Sequence, residues 1–196
     1  LKEKPIVKHF DDKSSIWEHT YEKFTAKVYV PETKLPASII NFGYSAPYLL
    51  YFEETPLNQE EAKKLADSTG LSELASRFAT SIVFITPANG DWDSANDELF
   101  LELIANSKIH QYYESGYAIL FNRFTNQCDG YAIRGAIYRT ILMGTGKSAD
   151  YIARNLVKKL TGDGLWGPAD VAPTVCILKN LSSTPEFQRD DMPVVS

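Results

Sequence analysis

A short polar segment, Gly144-Thr145-Gly146-Lys147-Ser148, joins an apolar run to an amphipathic stretch and holds the residue types best suited to chemistry. Glycines allow a tight turn, a lysine can meet an anion, and a serine hydroxyl can act as a nucleophile. One such chemistry is phosphate binding, because Gly146-Lys147-Ser148 matches the end of the pattern GxxxxGK[ST]. That pattern requires glycine where Ile141 stands, and the link from strand to helix is too short to wrap a phosphate. Nucleotide binding is therefore the weaker interpretation.

The second chemistry is that of a serine nucleophile on a sharp strand-to-helix turn, with the pattern G-x-S-x-G-G. If Gly144 is the first glycine, Gly146 stands at the nucleophile position, and Ser148 and Ala149 are the small residues that allow close packing. If Gly146 is the first glycine, Ser148 is the nucleophile, but larger residues stand where glycines are needed. We favour the first register, in which no nucleophile is present and Ser148 serves as the N-cap of the helix.

Hydrophobic periodicity predicts the elements that must position this segment. Short apolar or alternating runs predict strands at 24–30, 37–41, 82–86, 140–143 and 174–178. Helical spacing of apolar residues predicts helices at 58–66, 71–78, 97–105 and 149–160. The stretch 117–139 is ambiguous, since 118–121 is typical of a strand and 130–139 suits either a hairpin arm or a helix.

Strands that alternate with helices predict an α/β fold, a three-layer sandwich with a mostly parallel sheet. Ligands of such sheets bind beyond the carboxyl ends of the strands. The loops to consider are therefore 41–48, 86–93, 144–148 and 161–172.

The order of these elements resembles that of the esterase-like members of the α/β-hydrolase superfamily. The segments that carry the resemblance are Val28-Tyr29-Val30-Pro31, Asn41-Phe42-Gly43, Phe84-Ile85-Thr86-Pro87 and the unit at 140–160. The resemblance extends over about residues 20 to 180, as element order and weak motifs. It implies a single domain over 1–196 that lacks the C-terminal strands of the fold. Residues 1–20 would form an N-terminal arm, and 182–196 a tail or the start of a further strand.

The resemblance also implies a set of ligand-binding candidates around the mouth of a pocket: Asn41, Phe42, Gly43, Tyr44, Trp92, Thr145, Lys147 and Trp166. The loop 41–44 would supply oxyanion-hole N–H groups, or it is a plain turn at Gly43. Trp92 and Trp166 would stack on a ligand, or they pack beneath long loops. Lys147 opposes the positive end of the helix dipole, so it would meet an anionic ligand or a neighbouring acid unless solvent alone surrounds it.

A triad of this superfamily has the chain order Ser, acid, His. The histidines are His9, His19 and His110, and all of them precede the turn, so the general base is missing. We therefore expect a non-catalytic or incomplete domain, an accessory or ligand-binding part of a longer esterase-like protein. The alternative is a serine esterase fragment that uses Ser148, with the acid and the His supplied by a missing C-terminal segment or a second chain. A first residue, Leu1, that is not Met agrees with either kind of fragment.

Composition excludes several classes of protein. The chain has 196 residues, of which 44 % are hydrophobic and 23 % charged, as in globular domains. A net charge of −5 argues against nucleic-acid binding, and no apolar run is long enough for a membrane span. Cys128 and Cys176 form no CxxC or Cys–His cluster, so we expect no metal, and Cys176 is predicted to be buried. We expect no cofactor, and as partners a small-molecule or ester ligand and a downstream domain or second chain.

Overall fold

A computed structural model describes residues 6–32, 46–78, 80–99, 135–156, 175–183 and 194–195. At 46–48, 135–140 and 194–195 it describes the backbone alone. Within these residues, eight strands form one sheet: β1 (Ile6–His9), β2 (Ser15–Thr20), β3 (Phe24–Val30), β4 (Ala46–Phe52), β5 (Ile82–Pro87), β6 (Gly135–Thr145), β7 (Val175–Lys179) and β8 (Val194–Val195).

The spatial order of the strands is β1-β2-β3-β5-β4-β6-β7-β8. The first three strands pair antiparallel, and β3 also pairs antiparallel with β5. From β5 to β8 all pairs are parallel. The carboxyl ends of β4, β5, β6 and β7 therefore lie at one edge of the sheet, where a ligand site of an α/β fold is expected.

The described helices are α1 (Gln59–Ser68), α2 (Leu71–Phe78), α3 (residues 92–99) and α4 (Lys147–Tyr151), which continues into a π-helical turn (Ile152–Leu156). Helix α1 begins at a capping box, in which Asn58 and Glu61 each bond the other's backbone N–H. No helix in this part of the chain is long and apolar enough to cross a membrane.

Side chains of opposite parity along the strands form two cores, one on each face of the sheet. One core joins strand residues such as Val28, Leu50 and Leu142 to α3 and α4. The other joins Ile16, Tyr29 and further strand residues to α1 and α2. Each fully buried large apolar side chain contributes about 1.5–3 kcal/mol relative to an exposed one. The result is the predicted three-layer arrangement, with the sheet in the middle.

The sequence predictions of β3, β5, β7, α1 and α2 are confirmed within a few residues. The predicted strand at 140–143 is part of the longer β6. Residues 135–139, for which the sequence suited either a hairpin arm or a helix, also belong to this strand. Within the predicted arm 1–20 lie β1 and β2, and β8 lies within the predicted tail. The helix predicted at 97–105 begins earlier, at residue 92, because the Asp91 carboxylate accepts the N–H of Asp93 and so caps it there.

Strand β4 was not predicted. The strand predicted at 37–41 lies outside the described residues, and no strand was predicted at 46–52. A proline such as Pro47 is unusual in a central strand, because it has no N–H to donate to the ladder. In the structure, the register between β4 and β6 shifts between Pro47 and Tyr48. An irregularity of this kind accommodates a proline, since the ladder is already interrupted there.

Candidate functional site at the turn between strand β6 and helix α4

Gly146 is the one residue between β6 and α4, and it forms the apex of a sharp turn. Its backbone has φ 58° and ψ −126°, a conformation that favours glycine because a Cβ atom would be strained there. The N–H of Gly146 donates to the carbonyl of Lys179 at the end of β7 (2.9 Å), and its own carbonyl accepts the N–H of Asp150 (3.0 Å). The apex is thus held between the sheet and the first turn of α4.

Close packing on both sides of the apex agrees with the register that starts at Gly144. A Cβ atom on Gly144 would lie 2.7 Å from Cδ1 of Ile152 and 3.0 Å from the backbone nitrogen of Ala149. Ser148 and Ala149 are both fully buried. Small residues at these positions therefore allow α4 to lie directly against β6.

Ser148 has a different structural role from the one predicted. The N-cap of α4 is Gly146, and no side chain caps the helix. The Ser148 hydroxyl instead accepts the N–H of Thr145 (2.9 Å) and donates to the Thr145 carbonyl (2.8 Å). A β6 residue thus satisfies both the donor and an acceptor site of this hydroxyl, which ties the end of the strand to the helix.

The residue that faces the apex, Glu54, was not predicted from the sequence. Its carboxylate Oε1 accepts the backbone N–H of Lys147 at 2.5 Å. The same oxygen lies 2.7 Å from the position that a Cβ atom on Gly146 would occupy. The space beside the apex is therefore filled by a carboxylate from a different part of the chain.

The loop after β4 presents Glu54 to the turn through its own hydrogen bonds. The N–H of Glu53 donates to the carbonyl of Ile85 in β5 (2.9 Å). The Glu53 carboxylate accepts the N–H groups of Glu54 (3.0 Å) and Thr55 (3.5 Å). Because β4 lies beside β6 in the sheet, a loop held in this way places Glu54 against the turn. The sequence does contain a signal for this role, because two glutamates, Glu53 and Glu54, directly follow β4. The signal can be read only if β4 itself is predicted.

Three aromatic side chains pack beneath the turn. Trp92 is only 5 % exposed and stacks on Tyr151 of α4, with ring centroids 5.1 Å apart. It also packs against Phe52 at the end of β4 (5.5 Å). The Tyr151 hydroxyl donates to Asn96 Oδ1 (2.9 Å), and burial raises the pKa of Tyr151. The described residues offer no acceptor to Trp92 Nε1. The structure thus places Trp92 in the core, the alternative to stacking on a ligand.

The remaining predicted site residues fall into two groups. Thr145 is exposed, with its hydroxyl 3.5 Å from the Lys179 carbonyl, and Lys147 contributes its backbone N–H to the Glu54 contact. The others lie outside the described residues: Asn41, Phe42, Gly43, Tyr44 and Trp166. The loop 41–44 precedes β4, whereas the segment that meets the turn follows β4.

The described histidines lie far from the turn. His19 is on β2, four strand positions from β6, which at about 4.8 Å per strand is roughly 19 Å. Burial lowers its pKa to about 4, so the ring is neutral near pH 7. His9 is on β1, one strand further away, and His110 lies outside the described residues. Neither described histidine can act as a base at the apex.

The thiol of Cys176 is buried, as predicted. Burial raises the pKa of this thiol to about 12. It lies on β7, in the core that α4 covers. Cys128 lies outside the described residues. Burial keeps the Cys176 thiol protonated, so it is a packing group.

Comparison with known proteins gives no match to any family model and none to the curated proteins. Solved structures do match. Vibralactone cyclase aligns with 86 % of this chain and 43 % of its own, at 10 % identity and a TM-score of 0.50. The Francisella virulence factor BioJ aligns with 87 % of this chain and 44 % of its own, at 12 % identity and a TM-score of 0.44.

A third match is MGS-M1, an α/β hydrolase from a Medee basin deep-sea metagenome library. It aligns with 93 % of this chain and 64 % of its own, at 14 % identity and a TM-score of 0.44. The chain thus spans about half the length of the structures it matches. Identity this low carries the fold alone. The strand order, the strand–turn–helix at Gly146 and the match to vibralactone cyclase together show that the chain has an α/β-hydrolase-like fold.

Proposed function

We propose that this chain is a non-catalytic α/β-hydrolase-like domain, an accessory or ligand-binding part of a longer esterase-like protein. The observation that carries the proposal is Gly146 at the apex of the turn. In a serine hydrolase of this fold, the apex residue carries the nucleophilic hydroxyl. Here the apex has no side chain, and the Glu54 carboxylate fills the space that a side chain would need.

The Glu54 contact also opposes stabilisation of the negatively charged oxygen that forms during acyl transfer. The N–H of the residue after the nucleophile normally stabilises the negative oxygen of the acyl intermediate. In this chain that N–H belongs to Lys147 and already donates to Glu54. A second negative charge about 4 Å from the carboxylate would cost about 4 kcal/mol near a protein surface. Acyl transfer at this turn is therefore unfavourable even if a nucleophile were supplied.

The alternative, a serine esterase fragment that uses Ser148, is less well supported. Ser148 is fully buried, and its hydroxyl bonds both the N–H and the carbonyl of Thr145. An acyl group could reach this oxygen only if α4 moved off β6. The described histidines also lie on the far strands β1 and β2. The contacts of Ser148 are those of a structural hydroxyl.

The test of catalysis uses p-nitrophenyl acetate with the purified chain and its Ser148→Ala variant. We expect both to hydrolyse the ester no faster than buffer, and we expect no adduct with a fluorophosphonate probe by intact mass. The folding control is the thermal unfolding transition of each protein. Hydrolysis or labelling that Ser148→Ala abolishes in a folded protein would establish the esterase alternative and overturn the proposal.

The ligand-binding role is tested separately by thermal unfolding in the presence of short-chain carboxylic esters. A ligand that binds the folded state raises the melting temperature in proportion to ln(1 + [L]/Kd). For at least one ester we expect a rise that begins in the millimolar range and then grows with the logarithm of the ester concentration. A constant melting temperature across the series would leave only the accessory role.

A further inference from the structure

The loop after β5 contains the one Asn-Gly dipeptide of the sequence, Asn89-Gly90. Asparagine in this setting can lose its side-chain amide, because the backbone nitrogen of the next residue attacks the side-chain carbonyl carbon and closes a five-membered ring. Glycine favours the attack, since it has no Cβ atom beside its nitrogen and turns freely about φ and ψ. Whether the reaction proceeds in a folded protein then depends on how firmly the structure holds the two groups.

Both groups are open to solvent in the structure. Asn89 and Gly90 are exposed, as are Ala88 before them and Asp91 after them. Gly90 has a φ of 68°, and no atom lies within 4 Å of the place that a Cβ atom on it would occupy. No described residue forms a hydrogen bond with the Asn89 side chain. The side-chain amide is therefore free to turn towards Gly90, and water can reach the ring once it forms.

The backbone holds the attacking nitrogen only weakly. The N–H of Gly90 donates to the carbonyl of Pro87 at 3.4 Å, beyond the usual range of about 2.7–3.2 Å for such a bond. In the same loop, the N–H of Ala88 donates to the carbonyl of Lys23 at 2.8 Å. The loop is thus fixed at its first residue and loosely closed at Gly90, so little bonding opposes the movement of this nitrogen towards Asn89.

Other asparagines of the described residues lack this combination. Asn58 caps α1 with its side chain, and Asn96 accepts the hydroxyl of Tyr151. Asn180 is exposed and has a φ of 53°, but Leu181 follows it, and a leucine side chain shields the nitrogen that would attack. Asn180 therefore serves as an internal control, with the exposure of Asn89 but without the glycine.

We propose that Asn89 is a site of spontaneous deamidation in the folded protein, with water as the co-reactant. The Gly90 nitrogen forms a bond to Cγ of Asn89, and the Cγ–Nδ2 bond breaks. The leaving nitrogen takes up the proton that Gly90 loses and departs as ammonia, which leaves a five-membered succinimide. Water then opens the ring at either carbonyl carbon. Opening at Cγ gives aspartate, and opening at the backbone carbon gives isoaspartate, whose main chain runs through Cβ and Cγ.

Isoaspartate would disturb the entry to α3, because it adds one carbon to the main chain between two fixed points. The first point is the bond from Ala88 to the Lys23 carbonyl, and the second is the Asp91 carboxylate, which accepts the N–H of Asp93. Trp92, the first residue of α3, is buried in the core beside them. Since the reaction uses no group of the turn between β6 and α4, the proposal holds or fails separately from the proposed lack of catalysis.

The test incubates the folded chain in mildly alkaline buffer, well below its melting temperature, and follows it by peptide mapping. We expect the peptide that contains Asn89 to exchange its amide for an acid, with release of one ammonia per converted chain. Isoaspartyl methyltransferase should label the isoaspartate fraction. The peptide that contains Asn180 should keep its amide over the same period.

Two variants identify the reacting groups. Gly90→Ala should slow the conversion about tenfold, since a Cβ atom hinders the attack. Asn89→Gln should abolish it over the same period, since glutamine would have to close a six-membered ring. A free peptide with the sequence of 86–93 gives the reference rate. The proposal would be overturned if the folded chain kept Asn89 intact while the peptide converted, or if the rate followed the unfolded fraction in a urea series.

The effect on α3 is measured on the isoaspartate fraction after its separation by ion exchange. The matched control is Asn89→Asp, which carries the same charge without the extra carbon. We expect the isoaspartate form to melt at a lower temperature than Asn89→Asp, and Asn89→Asp to melt close to the unmodified chain. Equal melting temperatures of the two acidic forms would overturn the inferred disturbance of α3.

Discussion

The two halves of the sheet use charged groups in different ways. In the antiparallel half, Lys63 of α1 bonds Asp12 (2.8 Å) and Asp67 (2.6 Å), and it lies over the rings of Phe10 and Tyr29. In the parallel half, Glu54 forms no ion pair with a described residue and accepts the backbone N–H of Lys147. The ion pair between Asp12 and Lys63 thus holds the β1–β2 turn against α1. The Glu54 carboxylate lies 2.7 Å from the position that a Cβ atom on Gly146 would occupy.

The two halves also differ in the kind of side chain that they bury. The antiparallel half buries polar groups, among them His19 and Lys27. Lys27 forms an ion pair (3.3 Å) with the half-buried Glu18, which joins β2 to β3. The core under the turn in the parallel half is aromatic and aliphatic, with Trp92, Tyr151 and Phe52. We therefore expect the antiparallel half to respond to pH and the turn to respond to steric change.

The largest effect should come from Gly146→Ala. The new Cβ would be strained by a φ of 58° and a ψ of −126°, and the Glu54 carboxylate, 2.7 Å away, would have to swing aside and give up its bond to Lys147. We therefore expect a loss of about 3–4 kcal/mol in the free energy of unfolding. Urea denaturation measures it. Gly90→Ala is the matched control, because its φ is 68° and no atom lies within 4 Å of the new Cβ. That control should lose about 1 kcal/mol.

Glu54→Ala should recover part of the loss in the double variant with Gly146→Ala, because the collision is then removed. We expect a coupling of at least about 1 kcal/mol in the double-mutant cycle. Additive effects would mean that the backbone conformation alone makes glycine necessary.

The next effect is acid destabilisation through His19. Burial holds its folded pKa at about 4, below the ordinary value of 6.5, so the unfolded state binds a proton more readily. The stabilisation is complete above pH 6.5 and is lost as pH falls towards 4. We expect a loss of about 3 kcal/mol between pH 7 and pH 4. Urea denaturation at several pH values measures it, and His19→Gln should remove the dependence over that window.

Asp12 extends the same dependence to lower pH. Burial raises its pKa, but hydrogen bonds from Lys63 and Ser14 outweigh this and lower it below the ordinary value. The stabilisation of the fold by Asp12 is therefore present above the pKa that this carboxyl has in the unfolded chain. It is lost as pH falls through the lower pKa of the same carboxyl in the folded protein. The His19→Gln variant should accordingly still lose stability below about pH 4, and adding Asp12→Asn to it should make that loss smaller.

A smaller effect is expected from Lys63→Met, which leaves two carboxylates without their shared cation. We expect a loss of about 1–2 kcal/mol that shrinks in high salt. Lys13→Met is the control, because the Lys13–Glu32 pair is exposed and should contribute almost nothing. Equal losses in the two variants would contradict a special role for the Lys63 cluster.

The smallest effect should be that of Glu54→Gln. The amide oxygen can still accept the Lys147 N–H, so we expect a change of less than about 1 kcal/mol, against about 1–1.5 kcal/mol for Glu54→Ala. Thermal unfolding of the two variants compares them. A large loss for Glu54→Gln would mean that the charge, and not the acceptor atom, holds the turn.

Prediction succeeded where local chemistry specifies an element. The capping box at Asn58 and Glu61 marks the start of α1, and alternation ending at Pro31 marks β3. The register that puts Gly146 at the nucleophile position stays a prediction. Prediction failed at β4, where Pro47 hides a central strand, and at α3, where the cap formed by Asp91 was overlooked.

The amino-acid sequence thus specifies most helices and strands, the tight turn and the lack of a histidine after it, because these depend on neighbouring residues or on chain order. It could not reveal Glu54 as the group that closes the turn. Glu54 and Lys147 are 93 residues apart and meet only because β4 lies beside β6. The apolar row of Tyr51, Met143 and Ile177 likewise depends on the order of strands β4, β6 and β7 in the sheet, since periodicity marks an apolar side chain but not its neighbour on the next strand.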